Sequence, residues 1–297
     1  MKNLLFVFLF LLVHSGLYSQ NNKNDTPTGL PGDNFSLEGA LELFKNAASP
    51  EDFEKKLNDE SNHVNNLDLN GDGDIDYIRV VSNQKDNARI FILQVPVSDS
   101  ENQDIAVIEV EKNGKDDAVL QIIGDEEIFG EEMVVEPSDG NDEGENEDND
   151  SEDANYSPST VVNVWAWPSV RFIYAPAYRP WVSPWGWRSY PTWWRPWRPM
   201  AWSVWHPFRV SHYRPTVRIV STHRVVRAHN VYRPLRVSST TVRTKTSGAR
   251  ANYNVTRTKT KVTGPRGNSV TKKTTTVKGS KGKVKAKRTK VKKGGQN

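Results

Sequence analysis

Cysteine is absent from these 297 residues, which excludes disulfides, thiol chemistry and a lipid-modified cysteine near the N-terminus. Acid is absent from everything after Asp153. All 36 Asp and Glu lie at or before that residue, whereas ten of the 40 Lys and Arg precede it and thirty follow. The net charge of +4 therefore divides into about −26 and +30. Asymmetry of this size implies solvated segments and anionic or self-pairing partners, and says little about fold. Also missing are a Gly-x-Ser-x-Gly elbow, a glycine-rich phosphate loop and a His-Glu-x-x-His pair. Carboxylates are abundant, but abundance without a cleft does not make a general acid–base pair. The chain reads as a non-enzyme.

Long apolar runs are scarce too. Leu4–Val13 is too short for a membrane span. With Lys2 ahead of it and the polar stretch Ser15–Gln20 behind, it reads as a secretory signal cut near Ser19–Gln20. The expected location is outside the cytoplasm: periplasmic, outer-surface or secreted.

What is present is most specific at Asp68-Leu-Asn-Gly-Asp-Gly-Asp-Ile-Asp76. Oxygen-bearing side chains recur at every second position (Asp68, Asn70, Asp72, Asp74, Asp76), and Gly71 and Gly73 permit the turns that let them converge. That spacing suits a hard cation with six to eight oxygen ligands, calcium being the usual one. The alternative is a metal-free turn, since Asp, Asn and Gly dominate turns.

Residues 20–33 read as a flexible lead-in. Ser36 caps an expected helix through Ala48, with Leu37, Leu41, Phe44 and Ala48 on one stripe. Ser49-Pro50 starts a second helix, with Phe53 and Leu57 as its buried face. Four strands are expected at 75–82, 88–97, 104–111 and 118–124, with Asn113-Gly114 as a hairpin turn. The predicted fold class is α+β over 34–137: a small antiparallel four-stranded meander whose two N-terminal helices cover one face. Largely irregular or disordered acidic, Trp/Pro-rich and basic segments are expected to follow. Residues 138–155 read as a disordered acidic linker.

All ten Trp lie between Trp165 and Trp205, interleaved with Pro and Arg. Proline at that density disfavours helices and central strands. Across 156–237 three readings are open: a self-packed knot of Arg and Pro on Trp, a membrane-surface layer, or a face that stacks on sugars or bases. The candidate contact residues for an anionic polymer or surface are Arg171, Arg179, Trp181, Trp193, Trp194, Arg195, Trp197 and Arg198. His206, His212, His223 and His229 form pairs six apart. That spacing is wrong for ligands one helical turn apart, and the cationic neighbours oppose a divalent ion. The tail 238–297 is rich in Lys and Thr and reads as mostly disordered, with a hairpin over 261–270. It suits polyanions, nucleic acid among them, or folds back on the acidic linker.

The loop resembles the D-x-[DN]-x-D-G calcium loop of EF-hands, dockerin-type repeats and several extracellular β-proteins. Asp68, Asn70 and Asp72 match its first three ligand positions and Gly73 its invariant glycine. Arg79 stands where an EF-hand has its bidentate Glu, and strand-like residues follow where an EF-hand has a helix. The resemblance implies weak, structural calcium binding. The whole order of signal, acidic domain with this loop, Trp/Arg/Pro segment and basic tail also resembles exported bacterial proteins of uncharacterised activity. It implies an exported, calcium-stabilised binding or envelope-associated protein that meets anionic envelope polymer or a membrane surface.

Overall fold

Two serines open the fold as their spacing predicts. In the computed structural model, Ser36 accepts from the Gly39 N–H and caps α1 (Leu37–Lys45), and Ser49 accepts from the Asp52 N–H and caps α2 (Pro50–Leu57). The structure describes residues 27–139, 161–213, 217–220, 222–252, 254–263, 269–278 and 284–294. The expected signal segment and, from residue 140 onward, the expected acidic linker lie outside the described residues.

The expected four-stranded meander is replaced by a six-stranded antiparallel sheet, accompanied by seven helices among the described residues. Its strands are β1 (Arg79–Lys85), β2 (Ala88–Pro96), β3 (Asn102–Lys112), β4 (Ala118–Gly124), β5 (Met133–Pro137) and β6 (Val217–Val220), paired in that order. Between β4 and β5 lies the single-turn helix α3 (Glu126–Phe129). β1 begins four residues later than predicted. Residues 75–78 are held instead by other partners, Ile75 N–H by the Trp197 carbonyl at 2.8 Å and Ile78 by the Asn58 side chain. Strand β1 then runs to Lys85, and a two-residue turn with Asp86 at φ 50° starts β2.

The sheet is buried on both faces, not one. On the first, α1 and α2 pack Phe44 between Phe53 and Phe91, with ring centroids 5.3 and 5.1 Å apart. On the second, Ile90, Ile92, Val107, Ile123 and Val134 are covered by Val225, Ala228 and Tyr232, the last two on α6 (Val226–Tyr232). The cover therefore comes from residues expected to be irregular. Helix α4 (Pro168–Ile173) places Val170 and Ile173 in the first core. Helix α5 (Trp202–Tyr213) contributes Tyr213 to that core, and Val242 of α7 (Thr240–Asn252) joins it. Trp205 of α5 is also fully buried.

The proline-rich chain shields the sheet edge, as exposed edges require. Ser82 N–H donates to the Trp181 carbonyl at 2.7 Å and Ser183 N–H to the Val80 carbonyl at 3.0 Å, so 181–183 form a short added rung on β1. Beneath that rung sits Glu54 of α2, 2 % exposed. Its carboxylate accepts from Tyr77 OH, Val80 N–H, Ser183 OH and Trp181 Nε1–H at 2.8–3.3 Å. Burial holds its pKa above the usual carboxylate value despite these donors.

The charge asymmetry of the sequence is resolved side chain by side chain. Glu136, 2 % exposed, lies between Arg218 and Arg224 at 2.8 and 2.9 Å. Glu111 meets Arg227 at 2.7 Å, Asp125 meets Arg236 at 2.5 Å, Glu38 meets Arg209 at 3.0 Å, and Glu127 pairs with Arg250. Buried Asp104 is an exception: it is held by Gln94, Tyr232 and the Val237 N–H, and burial pushes its pKa up to about 6.

Beyond α7 a separate three-stranded antiparallel sheet joins β7 (Asn254–Thr263), β8 (Ser269–Lys278) and β9 (Val284–Gly294). The predicted hairpin corresponds to the β7–β8 connection, although the basic tail was expected to be mostly disordered.

Candidate functional site

The loop before β1 is drawn together by its own backbone. Asp68 accepts from Gly71 N–H and Gly73 N–H at 2.6 and 2.9 Å, Asn70 Oδ1 from Asp72 N–H at 2.7 Å, and Asp72 from Asp74 N–H at 2.9 Å. Gly71 and Gly73 stand at φ 77° and 84°, where a Cβ would be strained. Asp76 reaches back to accept from Leu69 N–H at 2.5 Å. Asp68, Asn70, Asp72 and Asp76 thus converge. Asp74 does not join them: its side chain leaves the group and pairs with Arg198 at 3.5 Å.

The carboxylates of this convergence crowd one another. Burial, followed by the negative charges of Asp68 and Asp72, pushes Asp76 up to about 7. The Asn70 amide nitrogen donates to Asp72 Oδ2 at 3.0 Å and Asp76 Oδ1 at 2.9 Å. The amide thus bridges the two carboxylates, while its oxygen accepts from Asp72 N–H. The donor set is all hard oxygen, and it fits calcium chemically.

The aromatic-cationic stretch supplies the lid of this loop. Arg198 donates to the Gly73 carbonyl at 2.9 Å while facing Asp74. Trp194 is 3 % exposed, with Tyr77, Tyr190 and Trp197 packed around it at 4.6–6.2 Å. Trp181 is half-buried with its N–H on Glu54. Trp193 remains exposed, with the Lys55 ammonium 5.6 Å from its ring centroid. Arg195 donates to its own segment's carbonyls, and Arg171 and Arg179 are exposed. Of the eight candidate contact residues, then, Trp181, Trp194 and Trp197 are engaged in packing. Trp193 and the four arginines reach the surface.

A third group was set aside on sequence spacing. His223, just after β6, and His229 on α6 bring their rings to 4.6 Å. His229 Nδ1 lies 3.0 Å from Glu109 Oε1 on β3, and His223 Nε2 lies 3.3 Å from Glu132 Oε2. Sequence reasoning searched along the chain for carboxylates near these histidines and found arginines. The carboxylates come from β3 and from the residue just before β5, more than ninety positions earlier. Burial pushes Glu109 up to about 7. The bond to Glu109 raises His229, and burial lowers His223.

In the C-terminal sheet the register itself is informative. Arg257 pairs with Thr275 and Thr275 with Arg288; Lys259 with Lys273 and Lys273 with Lys290; Lys261 with Thr271 and Thr271 with Lys292. Seven of these nine register positions carry Lys or Arg, in three cross-strand rows. Rows formed this way are about 6.8 Å apart along each strand, and the strands themselves about 4.8 Å apart.

Among the described residues no helix is long and apolar enough to cross a membrane. No family model, curated protein or solved structure matches the chain.

Proposed function

We propose that the protein is a non-enzymatic binding protein of the exported class, stabilised by calcium, which holds anionic polymer on cationic surface. The observation that carries this reading is the register of β7–β9, which puts Lys or Arg at seven of nine positions in three cross-strand rows, with no acid in the sequence beyond Asp153. Repeating cations at strand spacing favour a repeating anion, because each neutralised charge releases a counterion. The exposed Arg171, Arg179 and Arg195 extend the same chemistry onto the six-stranded domain. Engagement of most indoles in packing moves the expected contact surface away from Trp stacking and toward these cations.

Heparin retention tests this. The full chain is expected to bind and to elute at moderate salt. The triple variant Lys259→Ala, Lys273→Ala, Lys290→Ala, which removes the central row, should elute at markedly lower salt. Unchanged elution of the variant would refute the assignment. Sedimentation of both proteins with anionic and with neutral vesicles separates a membrane surface from a soluble polymer.

The calcium part has its own measurement, made on the full chain. A weak extracellular-type site has Kd on the order of 10⁻⁴–10⁻³ M. Calcium at about ten times Kd then adds about 1.4 kcal/mol. The melting midpoint should rise by a few degrees in calcium, not in magnesium, and not in Asp72→Ala. A midpoint indifferent to calcium would leave Asp68–Asp76 as a turn.

A further inference from the structure

Glu109 lies on β3, in the interior of the sheet, and is 0 % exposed. One of its oxygens receives His229, and the other, Oε2, is buried with no hydrogen-bond partner. Buried carboxylate oxygens are rarely left so, because the cost of desolvation is not recovered. A second orphan lies in the same group: His223 Nδ1 is also buried without a partner. Glu109, His223 and His229 each bring a ligand atom to within 4.8 Å of the others.

From these groups we infer a divalent metal site built by Glu109, His223 and His229, with the half-exposed Glu132 at its solvent side, selective for a first-row ion of the zinc type. Two ligand atoms about 2.1 Å from one tetrahedral ion lie about 3.4 Å apart. Separations of up to 4.8 Å therefore close by no more than about 1.4 Å, within the reach of side-chain adjustment. Mixed imidazole and carboxylate donors suit zinc and its neighbours, whereas calcium and magnesium take oxygen. The two carboxylates match the charge of a divalent ion. The arginines that make the sequence look hostile are answered elsewhere: Arg224 by Glu136 and Arg227 by Glu111. Arg233 remains as a positive neighbour of His229.

The location gives the site a role. It joins β3 to the chain on either side of the start of α6, the element that covers the second face of the sheet. An ion there would clip the C-terminal half onto the acidic half in a chain that has no disulfide.

The test uses the full chain without an affinity tag, stripped with chelator and titrated with zinc by calorimetry. One zinc per chain is expected, with a rise in melting midpoint. His223→Ala, which alters a loop residue 28 % exposed in its side chain, and His229→Ala should each weaken zinc by about tenfold or more while retaining the far-UV spectrum. Asp72→Ala and the double variant His206→Ala, His212→Ala should bind zinc as the parent does, which separates this site from the calcium-type loop and from the histidines of α5. Calcium should not displace the zinc. Absence of zinc binding by the parent, or undiminished binding in both His223→Ala and His229→Ala, would overturn the assignment.

Discussion

A chain ending at Asp139 is expected not to fold. The three helices and five strands it retains look like a sufficient α+β unit, and its length is ordinary for one. Yet Ile90, Ile92, Val107, Ile123 and Val134 would face water once Val220, Val225, Ala228 and Tyr232 are gone. At about 1.5–3 kcal/mol for each large aliphatic side chain, the loss is on the order of 10 kcal/mol. That equals the whole stability of a typical domain, roughly 5–15 kcal/mol. The truncation also strips Glu111, Asp125 and Glu136 of their arginines, and buried charges without partners are strongly destabilising. Residues 27–139 should give a poorly dispersed amide spectrum and bind a hydrophobic dye. A dispersed spectrum with a cooperative melt would show that the acidic half is self-sufficient.

Glu54→Ala is expected to cost about 3 kcal/mol or more. Four donors converge on that carboxylate, from α2's neighbours on β1 and from the proline-rich chain. An unsatisfied buried donor costs about 1–3 kcal/mol. Some of the sum is offset because a carboxylate that burial disfavours is removed with it. Glu54→Gln keeps one acceptor oxygen and turns an amide N–H toward the remaining donors, so it should fall between the parent and Glu54→Ala. Urea midpoints order the three proteins. Because Trp181 donates directly to Glu54, its fluorescence should shift to the red before the main transition in Glu54→Ala. A cost below about 1 kcal/mol in the alanine variant would mean that water replaces the carboxylate without penalty.

The helix starts and three of the four predicted strands were legible because their signals are local: a serine ahead of an apolar stripe, a turn between β-branched runs. The second buried face was legible too, but in a weaker form. Ile90-Phe-Ile-Leu93 and Ile105-Ala-Val-Ile108 are continuous apolar runs, not alternating ones, and continuity is the mark of a strand covered on both sides. Read as meander strands with one wet face, they left no need for a cover, and the chain after residue 156 was read as largely irregular, with one or two edge-like strands between Phe208 and Val237, where β6 lies. Proline density misled for a related reason. Pro180 and Pro184 bracket a rung added at a sheet edge, where a missing N–H is tolerated. The convergence of Asp68, Asn70, Asp72 and Asp76 was visible in their spacing. The ion pair of the Asp74 side chain with Arg198, 124 residues later, was not. The Glu109–His223–His229 group depends wholly on such distant pairing and has no local signature.

The bonds that close this domain join residues separated by about a hundred positions or more: Ser82 to Trp181, Glu54 to Ser183, Glu38 to Arg209. Native structure dominated by distant partners forms slowly, because each long loop must be closed before its contact is gained. Synthesis delivers the acidic half first, and until the basic half arrives its carboxylates repel one another and its sheet has one bare side. Completion of the fold is therefore expected to wait for the C-terminal residues. If the chain is exported as we propose, that delay would suit it, because a chain that locks into shape late can still be threaded through a membrane pore.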